Sequence, residues 1–435
     1  MRRATSEGFE GRLGRAPRQW RQSAATALVA TAGWVLFWPL TRLVPRDRRL
    51  IVFFGRDGGR FLDNCKHLFA RASERTDLGI RPVFLAADAF LQARLADAGG
   101  QSLVASRPLA LWKWLRAGTI VVDNVDWLHG VRFAASRGAR MVQLWHGIPL
   151  KKVQLSRVAE RNTRKPWWER SLFQMFLVLV GRRTRMDWML STSRFVTEHA
   201  FRSSFLYDRV SHAGYPRNDV LLGEGTALSE IGVDPVACEA IAKYRAHSPR
   251  GQVVLFAPTF REALDDPFVS GRIDLRELAS ATHRQGALLL VKLHPIMQGR
   301  VRMPDQQTGM VFVAPDSDAY PLLRAVDVLV TDYSSIFFDY LLLDRPVVFL
   351  CHDLANYLAD ERPMYFDYSE MTPGPKVTTV EALALELAEI ASGNDVWKDA
   401  RERVRSLVFE HTQGRASDRL LDELFSDLAA DATGA

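Results

Sequence analysis

The sequence predicts an α/β protein built from two parallel sheets in two domains. Short, continuous apolar runs alternate with helix-length stretches along almost the whole chain. Strands of this kind are buried on both faces and are typical of parallel sheets covered by helices. The 435 residues exceed the usual size of one hydrophobic core and suit two domains. The content of 47% hydrophobic and 25% charged residues is that of an ordinary globular protein.

Ten apolar runs are predicted to be strands. The first, RLIVFFG, ends in a glycine turn, and helical spacing follows it. The other nine lie at residues 82–86, 119–122, 141–145, 188–191, 253–257, 288–293, 309–313, 326–331 and 347–350. A turn-rich break at about residues 222–235 separates five of these runs from the other five. We therefore predict a first Rossmann-like domain at 49–228 and a second at 229–435, which ends in helices.

The first 48 residues are predicted to associate with a membrane. Residues 1–49 contain ten arginines and three acidic residues, and this excess equals the net charge of +7 of the whole chain. Between Arg21 and Arg42 lie twenty uncharged residues, QSAATALVATAGWVLFWPLT. Arginines and tryptophans around an apolar run suit an anionic membrane surface. A spanning helix and a helix buried on the protein itself are the alternatives.

A second stretch, residues 157–190, interleaves arginines with tryptophan, phenylalanine and leucine. It predicts either a core-packed helix with a basic outer face or a second contact with a membrane or anionic polymer. Nucleic acid is a poor fit, because the chain beyond residue 49 is neutral overall and contains no base-reading motif. The three cysteines are widely scattered, which predicts a reducing compartment and argues against a structural zinc site.

Polar residues directly after strands are the candidates for chemistry, because ligands of α/β folds bind at the carboxyl ends of strands. The run MVQLW leads into His146 and Gly147, where glycine permits an unusual backbone turn. A histidine there suits proton transfer near neutral pH, and a purely structural histidine is the alternative. The turn GYPRND (214–219) lies beside the predicted domain boundary and therefore at a cleft.

In the second domain, Arg261 and His294 follow two strands and could bind a phosphate-bearing ligand. Ser334 and Ser335 follow the strand at 326–331, at the predicted start of a helix. One serine would suffice to cap that helix. Two adjacent hydroxyls with free amides at the positive helix end predict an anion site of the kind that a diphosphate needs.

Together these stretches resemble the family of CDP-glycerol glycerophosphotransferases, the polyol-phosphate transferases of teichoic-acid and capsule synthesis. The resemblance covers about residues 49–420 and rests on QLWHGIPLKK, DWMLSTSRFVTEHAF, GYPRND, FAPTFR, KLHP, TDYSSIFFDYLLLDRPVVF, YFDY and HTQGRASDR, in the family's order. It implies a GT-B fold, in which two Rossmann-like domains with parallel sheets face a central cleft. One position departs from the family, which usually has threonine where this chain has Ile148.

The resemblance also implies a reaction and roles for the candidate residues. Glycerol phosphate, or a related polyol phosphate, would pass from CDP-glycerol or a related CDP-polyol to a hydroxyl of a lipid-linked sugar or growing polymer, releasing CMP. His146 would act as general base, and His294 would orient the donor diphosphate. The other substrate-binding candidates are Arg261, Ser334, Ser335, Asp332, Asn218, Asp219 and Lys292. No metal or other cofactor is implied.

Two other functions fit the same sequence. A nucleotide-sugar glycosyltransferase of GT-B fold, or an epimerase, would use the same cleft for a sugar donor in cell-surface polysaccharide synthesis. A membrane-bound scaffold that has kept the fold is the non-catalytic alternative. A cytosolic donor and a lipid-linked acceptor predict a place at the cytoplasmic face of the cell membrane, peripheral or singly anchored. Homo-oligomer formation is left open.

Overall fold

The computed structural model describes residues 15–128, 130–162, 166–259, 273–293, 309–354, 357 and 363–433. The candidate residues Arg261 and His294 lie outside these ranges. In the described part, the strands form two parallel sheets, which confirms the predicted α/β class. We call residues up to 228 the N-terminal half and those from 229 onward the C-terminal half.

Each half contributes one sheet. The strands of the first are β1 (Asp47–Phe54), β2 (Arg81–Ala86), β3 (Ser102–Val104), β4 (Ala117–Val122), β5 (Arg140–Gln143), β6 (Arg185–Leu190) and β7 (Leu206–Ser211). Those of the second are β8 (Val253–Phe256), β9 (Leu288–Val291), β10 (Met310–Phe312), β11 (Val328–Thr331), β12 (Val347–Leu350) and β13 (Lys376–Val377).

The two sheets share one topology. Their strand orders are β3-β2-β1-β4-β5-β6-β7 and β10-β9-β8-β11-β12-β13, so each winds outward in both directions from its first strand. This is the doubly wound order of Rossmann-like sheets. Its direction reverses between β1 and β4 in the first sheet and between β8 and β11 in the second. Ligands of such sheets bind at the carboxyl ends of those strands.

Helices connect and cover the strands. Those of at least eight residues are α1 (Arg15–Leu43), α2 (Asp63–Glu74), α3 (Ala89–Asp97), α4 (Pro108–Arg116), α5 (Gln154–Asn162), α6 (Trp167–Leu179), α7 (Pro235–His247), α8 (Leu275–Arg284), α9 (Val380–Ala391), α10 (Lys398–Val408) and α11 (Ala416–Thr433). Shorter helices include Arg132–Ala135, Arg217–Leu221, Tyr320–Leu323, Ile336–Tyr340 and Tyr368–Met371. A further helical segment at residues 194–204 contains one π-helical turn.

All ten predicted strands are confirmed, with ends that shift by up to a few residues. Of the strands that the structure describes, β3, β7 and β13 were not predicted, and each lies at an edge of its sheet. Edge strands are short or have one exposed face, so they lack the continuous apolar run of a central strand. The sequence of β7, LYDRVS, shows this, because its middle residues are charged and exposed.

The predicted membrane-associating segment forms the continuous helix α1, one side of which packs on the protein. The Trp34 and Phe133 rings meet edge to face, with centroids 5.2 Å apart. The indole Nε1 of Trp34 donates to the carbonyl oxygen of Leu179, at the end of α6, at 3.2 Å. Within the described ranges, no helix combines the length and the apolar character that crossing a bilayer requires. Membrane association itself stays a prediction.

The last helix returns to the N-terminal half. The Asp219 carboxylate accepts hydrogen bonds from the first two amides of α11, those of Ala416 and Ser417, at 2.7 and 2.8 Å. The guanidinium of Arg71, on α2, pairs with the Asp418 carboxylate at 2.9 Å. The predicted second domain, residues 229–435, therefore ends in a helix that packs on the N-terminal half.

Candidate functional site

The loop after β5 holds His146 in a tight turn. Its neighbours Trp145 and Gly147 both have left-handed backbone conformations, with φ of 55° and 139°. A Cβ atom at position 147 would lie 2.8 Å from Nη2 of Arg217 and 3.7 Å from Oγ of Ser335. Glycine is required because a larger residue would clash with that guanidinium. The loop thus brings Gly147, the residue after His146, beside Ser335 of the C-terminal half.

The imidazole of His146 has a defined tautomer. Its Nδ1 lies 3.0 Å from the backbone carbonyl oxygen of Asp123, at the end of β4. Because a carbonyl oxygen only accepts, Nδ1 carries the proton and Nε2 carries the lone pair. Burial lowers the pKa of His146 from its ordinary value, so the neutral form is favoured. A neutral imidazole with a basic Nε2 can accept a proton.

Arg217 lies directly behind this loop and joins the two halves. Its Nη1 donates to the Asp63 carboxylate at 2.5 Å and to the His146 carbonyl oxygen at 2.7 Å, and its Nη2 donates to the Asp339 carboxylate at 2.6 Å. The side chain is 3% exposed. Burial alone would lower the pKa of Arg217, but the carboxylates of Asp339 and Asp63 raise it well above its ordinary value. The buried guanidinium therefore stays charged.

A second buried ionic group joins the halves nearby. The Asp318 carboxylate, in the C-terminal half, lies 2.7 Å from Nζ of Lys66 and 3.0 Å from Nε2 of His67, both on α2. All three side chains are buried. Burial disfavours the charged carboxylate, but Lys66 and His67 hold the pKa of Asp318 well below its ordinary range. The interface between the halves therefore contains charges that are paired only when the halves meet.

The two candidate serines lie at the start of the helix Ile336–Tyr340, as predicted. Both are half-buried. In the described part of the chain, the Ser335 hydroxyl accepts no hydrogen bond from an amide of this helix. Helix capping therefore does not account for Ser335. Its Oγ instead lies near Gly147 across the boundary between the halves.

Asp332 fixes the ends of two strands in the second sheet. Its Oδ1 accepts from the backbone amides of Thr259 and Tyr333, at 2.7 and 2.6 Å. Thr259 follows β8 and Asp332 follows β11, so this contact spans the point where the strand order reverses. A substrate contact of Asp332 stays a prediction, and the observed contacts make it a support for the loop after β8.

Three other predicted residues are buried or bonded to protein groups in the described structure. The Lys292 ammonium donates to the carbonyl oxygens of Ala314 and Ser317, at 2.9 and 3.0 Å, and burial lowers its pKa to about 8. Asn218 is buried on the short helix that carries Arg217. The Asp219 carboxylate caps α11. Substrate contacts of Lys292, Asn218 and Asp219 stay predictions.

Comparison with known proteins identifies the family. The family model described as "CDP-Glycerol:Poly(glycerophosphate) glycerophosphotransferase" matches residues 36–426. The chain belongs to this family. Two proteins that are similar to this glycerophosphotransferase family member are a teichoic acid glycerol-phosphate transferase of Staphylococcus aureus and a teichoic acid poly(glycerol phosphate) polymerase of Staphylococcus epidermidis.

The chain is 27% identical to the S. aureus protein over 87% of its own length and 93% of that protein's. It is 29% identical to the S. epidermidis protein over 66% of its own length, but spans only 39% of that longer protein. A solved structure of the wall teichoic acid polymerase TagF has a similar fold, with a TM-score of 0.70, 22% identity, and coverage of 94% of this chain and 98% of that one.

The site of this glycerophosphotransferase family member contains residues that the sequence analysis missed. Asp123 is not among the predicted site residues, although its position directly after β4 meets the criterion that selected His146. Asn64 donates from Nδ2 to the Trp145 carbonyl oxygen at 2.8 Å and accepts from the Arg217 amide at 3.2 Å. Asp339 is an acidic residue inside the apolar run IFFDYLLL, which signals a buried partner.

Proposed function

We propose that this chain transfers glycerol phosphate from CDP-glycerol, or a related polyol phosphate from the corresponding CDP-polyol, to a hydroxyl of a lipid-linked sugar or a growing teichoic-acid-like or capsule-like polymer. The chain's membership of the glycerophosphotransferase family supports the donor class. One observation carries the proposal. The hydrogen bond from Nδ1 of His146 to the Asp123 carbonyl oxygen leaves Nε2 free of a proton, and His146 directly precedes Gly147, which faces Ser335.

In the proposed reaction the acceptor hydroxyl attacks the β-phosphorus of CDP-glycerol. A bond forms between the acceptor oxygen and phosphorus, and the bond from phosphorus to the oxygen bridging to CMP breaks. The acceptor proton passes to Nε2 of His146, and CMP leaves with the bonding electrons. Such transfers depend mainly on positioning and charge neutralisation. The predicted donor contacts of Ser334, Ser335, Arg261 and His294 would supply these.

We propose that α1 and α6 form the surface that contacts the membrane in which a lipid-linked acceptor lies. We call these two helices the apolar helix pair. The helices contact each other and expose large apolar side chains, including Leu28 (71% exposed), Trp167 (73%) and Met175 (69%). The others are Val29, Val35, Leu36, Leu40, Leu43, Trp168, Leu172 and Val178. An exposed apolar surface of this kind suits the interfacial layer of a bilayer. A lipid-linked acceptor would then be reached from the cytoplasmic face.

Product analysis tests the proposed reaction. Purified protein is incubated with a lipid-linked acceptor and with CDP-glycerol, CDP-ribitol or a UDP-sugar, and the released nucleotide is measured by chromatography. We expect CMP from a CDP-polyol and no UDP or UMP from the sugar donors. Release of UDP would instead favour the glycosyltransferase alternative. Unchanged CMP release by His146→Ala would remove His146 from the mechanism.

A further inference from the structure

A cavity of about 760 Å³ lies at the end of the first sheet opposite the candidate site. Its walls include residues at the starts of β1, β4, β5 and β6, whereas His146 follows the end of β5. The volume falls within the range of small-molecule sites. Of the residues predicted for the reaction, none that the structure describes lines the cavity, so their proposed roles do not account for it.

The polar part of the wall is basic. Five arginines line the cavity, namely Arg48, Arg137, Arg140, Arg183 and Arg185, and we call it the arginine cavity. Among the described residues of the wall, Asp187 and Asp427 are acidic. The Asp187 carboxylate accepts a hydrogen bond from the Met141 amide at 2.7 Å, and the Asp427 carboxylate pairs with Arg48 at 3.0 Å. Arg185 also pairs with Asp208, outside the wall, at 3.1 Å. The other arginines of the wall still give it an excess of positive charge, which suits a phosphate group.

The apolar part of the wall belongs partly to the apolar helix pair. Trp34 of α1 and Val178 of α6 both line the cavity, together with Phe133. Val178 is 58% exposed and also belongs to the outer apolar surface. A ligand that held its charged group on the arginines could therefore extend an apolar part along α1 and α6. This combination of walls suits an amphiphile better than a soluble phosphate ester.

We propose that the arginine cavity binds the phosphate-bearing headgroup of an anionic phospholipid, whose acyl chains lie along the apolar helix pair. The site would orient the protein on the membrane and would recognise a lipid that is not consumed in the transfer. The headgroup contact does not depend on the proposed reaction. Only the placement of the acyl chains rests on the proposed membrane surface.

Titration with a short-chain lipid tests the cavity without a membrane. The probe is dihexanoylphosphatidylglycerol below its micelle-forming concentration, followed by isothermal titration calorimetry on the intact chain. Dihexanoylphosphatidylcholine and glycerol 3-phosphate are the comparison ligands. We expect saturable binding of the anionic lipid and much weaker binding of both others. Equal binding of glycerol 3-phosphate would overturn the assignment to a lipid, and equal binding of the choline lipid would overturn the role of the arginines.

Two variants locate the binding. The double variant Arg137→Glu/Arg183→Glu reverses the charge of the wall at two positions. We expect its affinity for the anionic lipid to fall by roughly tenfold or more. The matched control, Arg250→Glu/Arg284→Glu, makes the same change of net charge at exposed arginines outside the cavity and should bind normally. Thr184→Trp changes no charge and fills the cavity, so it should also abolish binding. Undiminished binding by a folded Thr184→Trp protein would overturn the proposal.

Discussion

The guanidinium of Arg217 donates a hydrogen bond to the backbone carbonyl oxygen of His146, at 2.7 Å. The same side chain pairs with Asp63 in the N-terminal half and with Asp339 in the C-terminal half. Arg217, in the GYPRND turn, thus supports the loop that carries His146. Its positive charge is neutralised by one carboxylate from each half. The position of His146 is therefore coupled to the packing of one half on the other.

Replacing Arg217 by methionine should destabilise the fold strongly. The change leaves the buried Asp339 carboxylate without its cation and leaves Asp63 only its longer contact with Arg56, at 3.4 Å. Breaking a buried ion pair in this way costs about 3–5 kcal/mol of unfolding free energy. Urea unfolding followed by fluorescence measures it. Arg250→Met, at an exposed arginine, is the control and should cost little. A loss below about 1 kcal/mol in Arg217→Met would contradict the structural role.

Replacing His146 by asparagine should lower kcat about 100- to 10,000-fold, the usual contribution of a general base. The apparent affinity for the donor should change little, because the proposed proton transfer concerns the acceptor hydroxyl. CMP release under single-turnover conditions measures both effects. His199→Asn is the matched control, because His199 also bonds a backbone carbonyl oxygen through Nδ1 but is exposed. Equal losses in the two variants would argue against a specific role for His146.

The pH dependence of the reaction should reflect the lowered pKa of His146. Burial lowers that pKa, so the neutral, basic imidazole persists to lower pH than in a free histidine, whose pKa is about 6.5. We expect kcat/KM to decline only as the pH falls through a value below about 6.5. The residual activity of His146→Asn should lack this decline. An acidic limb centred above that value would contradict the assignment.

Replacing Ser335 by alanine should affect donor binding and leave stability unchanged. Its hydroxyl caps no amide of its helix, whereas a hydrogen bond to a charged phosphate contributes about 1.5–3 kcal/mol. We therefore expect kcat/KM for CDP-glycerol to decline by roughly 10- to 150-fold. The control is Ser193→Ala, because the Ser193 hydroxyl does cap a helix by accepting from the Val196 amide. That variant should lose about 1 kcal/mol of stability and keep its activity.

Replacing Asp219 by alanine should separate its observed contacts from its predicted role in substrate binding. Both carboxylate oxygens accept hydrogen bonds from the first amides of α11, and losing such a cap costs about 0.5–2 kcal/mol. We expect a lower thermal midpoint and an unchanged KM for the donor. A raised KM with an unchanged midpoint would instead favour the substrate contact.

Local patterns predicted the central strands because a strand buried on both faces must be apolar along its length. Runs such as VVLF and VVFL carry this requirement in four consecutive residues, and both became fully buried strands. The same rule predicts nothing for an edge strand such as β7, whose charged residues are exposed. Similarly, the rule that ligands bind at the carboxyl ends of strands selected His146, Ser334 and Ser335. It could be applied to the sequence because each strand and the loop after it are consecutive in the chain.

The sequence by itself determined the α/β class, the central strands of both sheets, the glycine behind His146 and the motif order that indicates the family. Only the tertiary structure decided that Arg217 holds the His146 loop, that Asp318 pairs with Lys66, and that five arginines surround one cavity. The reason is physical. A buried strand or a strained turn is fixed by neighbours along the chain, whereas a buried charge is stabilised by partners that only folding brings within contact.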